Sequence, residues 1–378
     1  MFASIRRTLA LAIRIVRQFV RDKRTLALLF IAPLFIMTLL NFVLGSSGSN
    51  SLTLAVVPPP GVGHDLVQQA ISKGLAKAKG VQVIYIDADQ VDAKLKSGDA
   101  NAALIFSPDF VSARSTGAQP SVTLRLDGSN PPAAAQAKTL VTFALASLNQ
   151  PAAASGDPSA ASAAPVALHT SYLYGGPQYT QTDALAPLFI GLFAFFFVFL
   201  LASVAFLRER SQGTLERILV SPLSRTELTL GYVLGFMLFA TLQSLVILGF
   251  VIYVLRVHYA GNLWLLFLVT LTLTIGGVNM GIFASAFARN ELQVIQFIPL
   301  LIVPQALLGG LFFPVNTLPV VLKQLAYIMP LTWANFALKD VMLKGLGFSD
   351  IWPDLAFLLG FAILMVIISA FSLRQERA

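Results

Sequence analysis

Six stretches of this chain are long, apolar and free of Asp, Glu, Lys and Arg in their interiors: roughly 25–44, 184–207, 228–255, 262–288, 292–313 and 353–373. An α-helix of about 20 such residues crosses the ~30 Å hydrocarbon core of a bilayer and satisfies every backbone polar group internally. Composition points the same way. Hydrophobic residues make up 56% of the chain and charged residues 12%, where soluble domains hold roughly 45–50% and ~25%. A water-facing surface needs more charge than this, and a disordered chain is poorer in apolar residues. The fold class is an α-helical polytopic membrane protein with six transmembrane helices.

Missing residue types exclude several chemistries. With no cysteine, neither a disulfide framework nor thiol catalysis can occur. His64, His169 and His258 are far apart in sequence and suggest no metal site. The uncharged span interiors disfavour a proton-driven carrier, because such carriers place carboxylates within the membrane. No set of catalytic residues is apparent, and the chain is not expected to be an enzyme.

The net charge of +8 raises nucleic-acid binding, but the distribution of the basic residues argues against it. Arg6, Arg7, Arg14, Arg17, Arg21, Lys23 and Arg24 all precede the first span. With the N-terminus inside, the inner segments also hold Arg208, Arg210, Arg217, Arg225, Arg289, Arg374 and Arg377. The short outer loops hold only Arg256, Lys323, Lys339 and Lys344. Basic residues concentrate in cytoplasmic loops, and long translocated domains do not count in this rule. Both termini are therefore expected in the cytoplasm of a plasma-membrane protein, with 45–183 outside. A cleaved signal peptide is the rival reading of the N-terminus, but its apolar run would be 7–15 residues, shorter than the one present.

Residues 1–24 read as an amphipathic helix at the inner interface. Ile5, Leu9, Ile13, Val16, Phe19 and Val20 fall on one side, the arginines fall on the other, and Leu11 and Ile15 break the pattern. The arginine face either anchors the helix to lipid headgroups or also touches a cytoplasmic partner. Residues 25–44 form the first span.

Within 45–183, β-type and helical runs alternate, which predicts an inserted α/β (or α+β) domain. Strands are expected at Leu52–Val57, Val81–Ile86, Ala102–Phe106, Val122–Leu126 and Val166–Tyr174. Helices are expected over Leu66–Leu75, around Asp89–Lys96, from Pro108, and from Pro131 to about Leu148. Residues 150–165 are low in bulky apolar side chains and read as a flexible loop.

The remaining spans make a five-helix domain over 184–373, followed by a tail, 374–378. Gly231–Gly235 and Gly277–Gly281 are both GxxxG pairs, read as packing within the subunit. Gln243, Asn279, Gln296 and Gln305 lie inside spans, where they serve either helix–helix hydrogen bonding or a substrate path. The inner loop 208–227 reads RERSQGTLERILVSPLSRTE. Thr214 can cap a short helix opening with Leu215 and Glu216, and Pro222 ends it. Ser224 and Glu227 have the spacing of a capping box for the next helix. The short helix is expected to show Glu209, Arg210, Glu216 and Arg217 to the cytoplasm.

This loop resembles the ER-x-x-GT-LE-x-L-x-x-x-P coupling motif of type-2 ABC exporter permeases. Gly309-Gly-Leu-Phe-Phe-Pro314, Leu318-Pro319 and Leu325–Trp333 resemble that family's outer hairpin, and the insertion after span 1 resembles the subgroup with a large outside domain. The resemblance implies two permease subunits, the same or related, and an ABC ATPase dimer on the cytoplasmic face. It assigns ATPase coupling to Glu209, Arg210, Gly213, Thr214, Leu215, Glu216, Arg217, Pro222 and Glu227. It assigns an outer hairpin, 311–333, and gate to Gly309, Gly310, Phe313, Pro314, Pro319 and Pro330. No GxxxxGK[ST] occurs in the chain, so ATP and Mg are expected on a separate ATPase, with no cofactor on this chain. The implied function is export of an amphipathic or lipid-like substrate or drug. The alternative is a membrane-anchored receptor or scaffold that uses 45–183 to hold a partner.

Overall fold

The computed structural model describes residues 2–44, 52–60, 81–149, 165–214, 224–288, 290–311 and 314–372. The chain divides into two compact units, Gly45–Ala184 and a second formed by Met1–Leu44 with Leu185–Ala378.

The inserted unit is built on a five-stranded mixed sheet. Its strands are β1 (Leu52–Val57), β2 (Val81–Tyr85), β3 (Ala102–Phe106), β4 (Ser121–Asp127) and β5 (Ala167–Tyr174), in spatial order β2-β1-β3-β4-β5. Only β3 and β4 run antiparallel. Alternate residues of a strand face opposite sides, so each strand feeds two cores. Leu54, Val56, Leu104 and Leu124 lie in a cluster with Ala137, Val141 and Leu145 of a long helix, Pro131–Asn149. Ala55, Val57 and Ala103 lie in a second cluster with Val91 and Leu95 of a short helix, Val91–Lys96. The turn Asp127-Gly-Ser-Asn130 has a packing reason. A Cβ on Gly128 would fall 1.9 Å from the Tyr174 carbonyl oxygen, so no other residue fits there without displacing β5. Every described strand matches its sequence expectation to within a residue or two, while 66–75 and 150–164 lie outside the described residues.

Among the described residues the α-helices are, in chain order, α1 (Phe2–Arg21), α2 (Lys23–Leu44), α3 (Val91–Lys96), α4 (Phe110–Thr116), α5 (Pro131–Asn149), α6 (Gln181–Ser211), α7 (Arg225–Gly249), α8 (Leu263–Phe287), α9 (Glu291–Leu308), α10 (Val320–Ile328), α11 (Pro330–Met342) and α12 (Phe348–Ser372). Among the described residues, six helices are long and apolar enough to span a membrane: α2, α6, α7, α8, α9 and α12. The protein is a multi-pass membrane protein. α6 sits at the centre of the bundle, with Phe195, Phe199 and Phe206 fully buried. α8 closes on it through glycines: a Cβ on Gly281 would meet the Phe199 carbonyl oxygen at 2.6 Å, and one on Gly277 the Phe195 ring at 3.1 Å. That GxxxG pair therefore packs inside the subunit. α2, α9 and α12 turn large apolar side chains outward, among them Phe35, Leu300 and Ile363, as helices bordered by hydrocarbon do.

Two boundaries differ from expectation. The fifth span ends at Leu308, because Gly309 caps it and Gly310 takes φ +88°, a left-handed value that suits glycine and turns the chain. The sixth begins at Phe348, which places buried Asp354 well inside the helix. One carboxylate therefore lies deeper in a span helix than the hydropathy pattern placed any.

Candidate functional site

The basic end of the bundle holds a network of ion pairs around the 208–227 segment. It starts with α1, which carries two apolar sectors. Leu11, Ala12, Ile15 and Phe19 are buried, while Ile5, Leu9, Ile13 and Val20 are exposed. The buried sector lies along α7, directly over a GxxxG pair. A Cβ on Gly231 would fall 2.7 Å from the Leu11 side chain, and one on Gly235 would fall 2.9 Å from Ile15. The Phe19 ring meets Phe236 and Phe239 edge-on at 5.5 and 5.7 Å. Two sets of residues, each one helical turn apart, thus interlock. The sequence reading gave α1 one apolar face and treated Leu11 and Ile15 as exceptions. They are instead the residues that contact the protein.

This packing aims two arginines at the ends of the loop. Arg14 and Arg7 are two turns apart on one face of α1. Arg14 pairs with Glu209 at 3.3 Å, and Arg7 pairs with Glu227 at 3.3 Å. Glu209 is only 4% exposed and also accepts a 2.7 Å hydrogen bond from the Thr214 hydroxyl. The Thr214 hydroxyl donates to the Glu209 carbonyl as well, which tightens the chain around Gly213 at φ +66°. Ser224 and Glu227 form the expected capping box of α7. Hydrogen bonds from the Ser4 side chain and the Ser224 backbone, together with Arg7, hold the Glu227 carboxyl below its usual range.

The neighbouring arginines tie in the other helix ends. Arg210 donates to the Ser285, Ala286 and Ala288 carbonyls, which satisfies the open C-terminus of α8 and complements its dipole. Arg208 bridges Glu291, at the start of α9, at 2.8 Å and Asp22 at 3.2 Å. Asp22 caps α2 through the Thr25 backbone and hydroxyl. The Thr25 bonds, with Arg208 behind them, lower the Asp22 pKa. Glu209 and Arg210 were expected to face the cytoplasm. In the structure Glu209 is held by Arg14 and Thr214, and Arg210 by the carbonyls at the end of α8. Leu215, Glu216, Arg217 and Pro222 lie outside the described residues.

A model of the ABC-2 family transporter protein matches residues 23–371. The chain belongs to the ABC-2 transporter family. It is similar to ABC transporter G family member 20 of Dictyostelium discoideum, 29% identical over 214 residues, covering 56% of this chain and 29% of the relative. It is also similar to the probable multidrug ABC transporter permease YbhR of Escherichia coli K12, 28% identical over 171 residues, covering 45% of this chain and 46% of the relative. The linearmycin resistance permease protein LnrN of Bacillus subtilis 168 is 26% identical over 161 residues, covering 43% of this chain and 42% of the relative. The chain spans less than half the length of these relatives.

At the opposite end of this ABC-2 permease, the hairpin residues form one packed corner. The Asn335 amide on α11 donates to the Gly309 carbonyl at 2.7 Å. A Cβ on Gly191 of α6 would come 2.7 Å from the Asn335 oxygen, so three elements meet on one side chain. Pro314 precedes a 3-10 turn at Val315–Thr317, Pro319 opens α10, and Pro330 opens α11. Trp333 stacks on Phe357 at 4.8 Å. Phe313 lies outside the described residues. The four polar span residues do not converge. Gln243 bridges to the Phe193 carbonyl of α6 at 3.2 Å, Asn279 bonds the Ile275 carbonyl within α8, and Gln296 is exposed. Gln305 lines an apolar cleft.

Arg7, Arg14, Asp22, Arg208 and Glu291 were not singled out as site residues from sequence. The seven-residue spacing of Arg7 and Arg14 was a usable signal, since it equals two helical turns.

Proposed function

We propose that this ABC-2 permease is the transmembrane half of an ATP-driven exporter, moving an amphipathic or lipid-like substrate outward across the cell membrane. Both termini and the 208–227 segment face the cytoplasm, and residues 45–183 lie outside. Two permease subunits, identical or related, form the pathway. A separate ATPase dimer binds ATP and Mg and docks on the 208–227 segment.

The network at the basic end carries this reading. Both flanks of the segment are clamped to α1, and Arg208 and Arg210 link the same region to α2, α8 and α9. A displacement of the segment by a docked ATPase is therefore shared among the ends of several spans at once. ATPase closure must favour one transport state over another to do work, and this clamp gives the bias a rigid route. The multidrug and resistance names of the relatives fit a small amphipathic cargo. A receptor or scaffold use of the inserted domain leaves this network without a purpose.

The test is reconstitution with a candidate ABC ATPase in proteoliposomes and a screen of amphipathic compounds for stimulated ATP hydrolysis. Stimulation that requires both chains supports the exporter. Failure of the permease to retain any ATPase, with the inserted domain capturing an outside ligand, supports the scaffold.

A further inference from the structure

The cations of α1 fall into two sets on different sides of the helix. At about 100° per residue, the buried sector (Leu11, Ile15, Phe19, Ala12) is followed by an exposed apolar sector, Ile5, Leu9, Val20 and Ile13. The cations come next, in the order Arg6, Arg17, Arg21, Arg14, Arg7. Arg14 and Arg7 border the buried sector, and they are the two that pair with Glu209 and Glu227. Arg6 and Arg17 border the exposed apolar sector, and both are exposed, as is Arg21. Among the described residues none of these three makes an ion pair.

The same holds for Lys23 and Arg24, exposed at the start of α2. Residues 1–24 contain a single acid, Asp22, which Thr25 and Arg208 already engage. This cationic strip repels itself unless an anion from outside the chain lies against it. The order of the sectors says what kind of anion. A phospholipid offers acyl chains to the exposed apolar side chains and phosphates to the arginines that snorkel from its edge. A guanidinium fork also matches phosphate oxygens two at a time. Free inorganic phosphate would leave the apolar strip in water.

We propose that the outer side of α1 is a binding surface for anionic phospholipid, with phosphates held by Arg6, Arg17 and Arg21 and acyl chains lying against Ile5, Leu9, Ile13 and Val20. Lys23 and Arg24 extend the cationic strip onto the first span. One helix then joins a charged lipid surface to Glu209 and Glu227, on either flank of the 208–227 segment. This lipid site does not rest on the export reading, and its test needs neither ATPase nor transport.

Because the chain has no cysteine, a single Ile13→Cys carries a bimane fluorophore into the apolar sector. The purified full chain is reconstituted in equal parts of phosphatidylglycerol and phosphatidylcholine, with dibrominated acyl chains on one lipid or the other. Bromine quenches on contact, so the two samples report which lipid lies against residue 13. Phosphatidylglycerol should be preferred about fivefold at low salt, the value of one cation at an anionic surface. The preference should shrink toward unity in high salt, and also when Arg6→Gln, Arg17→Gln and Arg21→Gln are combined. A bimane at Ile363→Cys, on the outward face of α12, should show none. Equal quenching by the two lipids at residue 13 in low salt would overturn the proposal with every arginine in place. So would the same preference at residue 363, or a full preference in the triple variant. Quenching by neither lipid would also overturn it, because protein would then cover this side of α1.

Discussion

Glu209 shows how one residue changes meaning once its surroundings are known. In sequence it is a charged member of a loop motif. In the structure it is a nearly inaccessible carboxylate held by Arg14 and Thr214. Removing one partner of a desolvated carboxylate costs roughly 1–3 kcal/mol, well above the worth of an exposed ion pair. Arg14→Ala should therefore lower the unfolding temperature in detergent. Glu209→Gln placed on top should add less than its own single effect, since both changes break one contact. Additive losses in a thermal-unfolding cycle would mean the contact carries no energy. The pH response follows from Asp22 and Glu227. Both have carboxyl pKa values held below the ordinary range, so both stabilise the fold most when ionised. Their contribution is full above the unfolded value, about 4, and is lost as pH falls through the lower folded values. Exchange protection in 2–21, corrected for the intrinsic pH dependence of amide exchange, should thus stay constant from pH 7 to about 5 and fall only in more acidic buffer. A loss of corrected protection already between pH 7 and 6 would point to a different group.

At the scale of elements, the seat of α1 on α7 depends on two missing side chains. Adding bulk where a Cβ would already sit 2.9 Å from Ile15 forces the helices apart, and overpacking of this kind typically costs about 1–3 kcal/mol. Gly235→Leu should release α1 and so speed trypsin cleavage after Arg14, Arg17 and Arg21 in membrane preparations open at the inner face. Equal cleavage of variant and wild type would show that α1 does not depend on that seat. The sequence revealed the elements well, and their partners less so. Strand alternation, apolar length and the Ser224–Glu227 box are local signals, and all appear in the structure where expected. Which face of α1 meets protein is not local. It depends on glycines more than 200 residues away, and the two apolar sectors blur together on a helical wheel. The Gly309 break was placed several residues late for a related reason: hydropathy continues through Leu311–Phe313, while the helix stops where glycine permits the turn.

For the whole molecule, the topology makes sharp expectations because the chain has no native cysteine. Gln119→Cys and Gln324→Cys, both at exposed positions, should react with an impermeant maleimide in intact cells. Ser211→Cys should react only after permeabilisation. Labelling at 211 in intact cells would invert the orientation drawn from the arginine distribution. The sequence motif drew attention to 208–227, and the glycines and prolines to 309–330. The clamp that joins the flanks of 208–227 to α1 was not legible, because it is made of ordinary arginines whose partners only the fold brings together.

The central claim is that an ATPase drives this permease through the 208–227 segment. Glu216 lies in that segment, between the two clamped flanks. A desolvated interfacial charge that loses its partner costs roughly 2–5 kcal/mol, whereas a helix-dipole contribution alone is worth about 0.3–1 kcal/mol. The most direct measurement is co-purification of the ATPase with the Glu216→Lys permease, read beside transport in the same membranes. The account predicts that the variant inserts and dimerises normally, loses most of the bound ATPase and exports nothing. ATPase retention and transport at wild-type levels would contradict it.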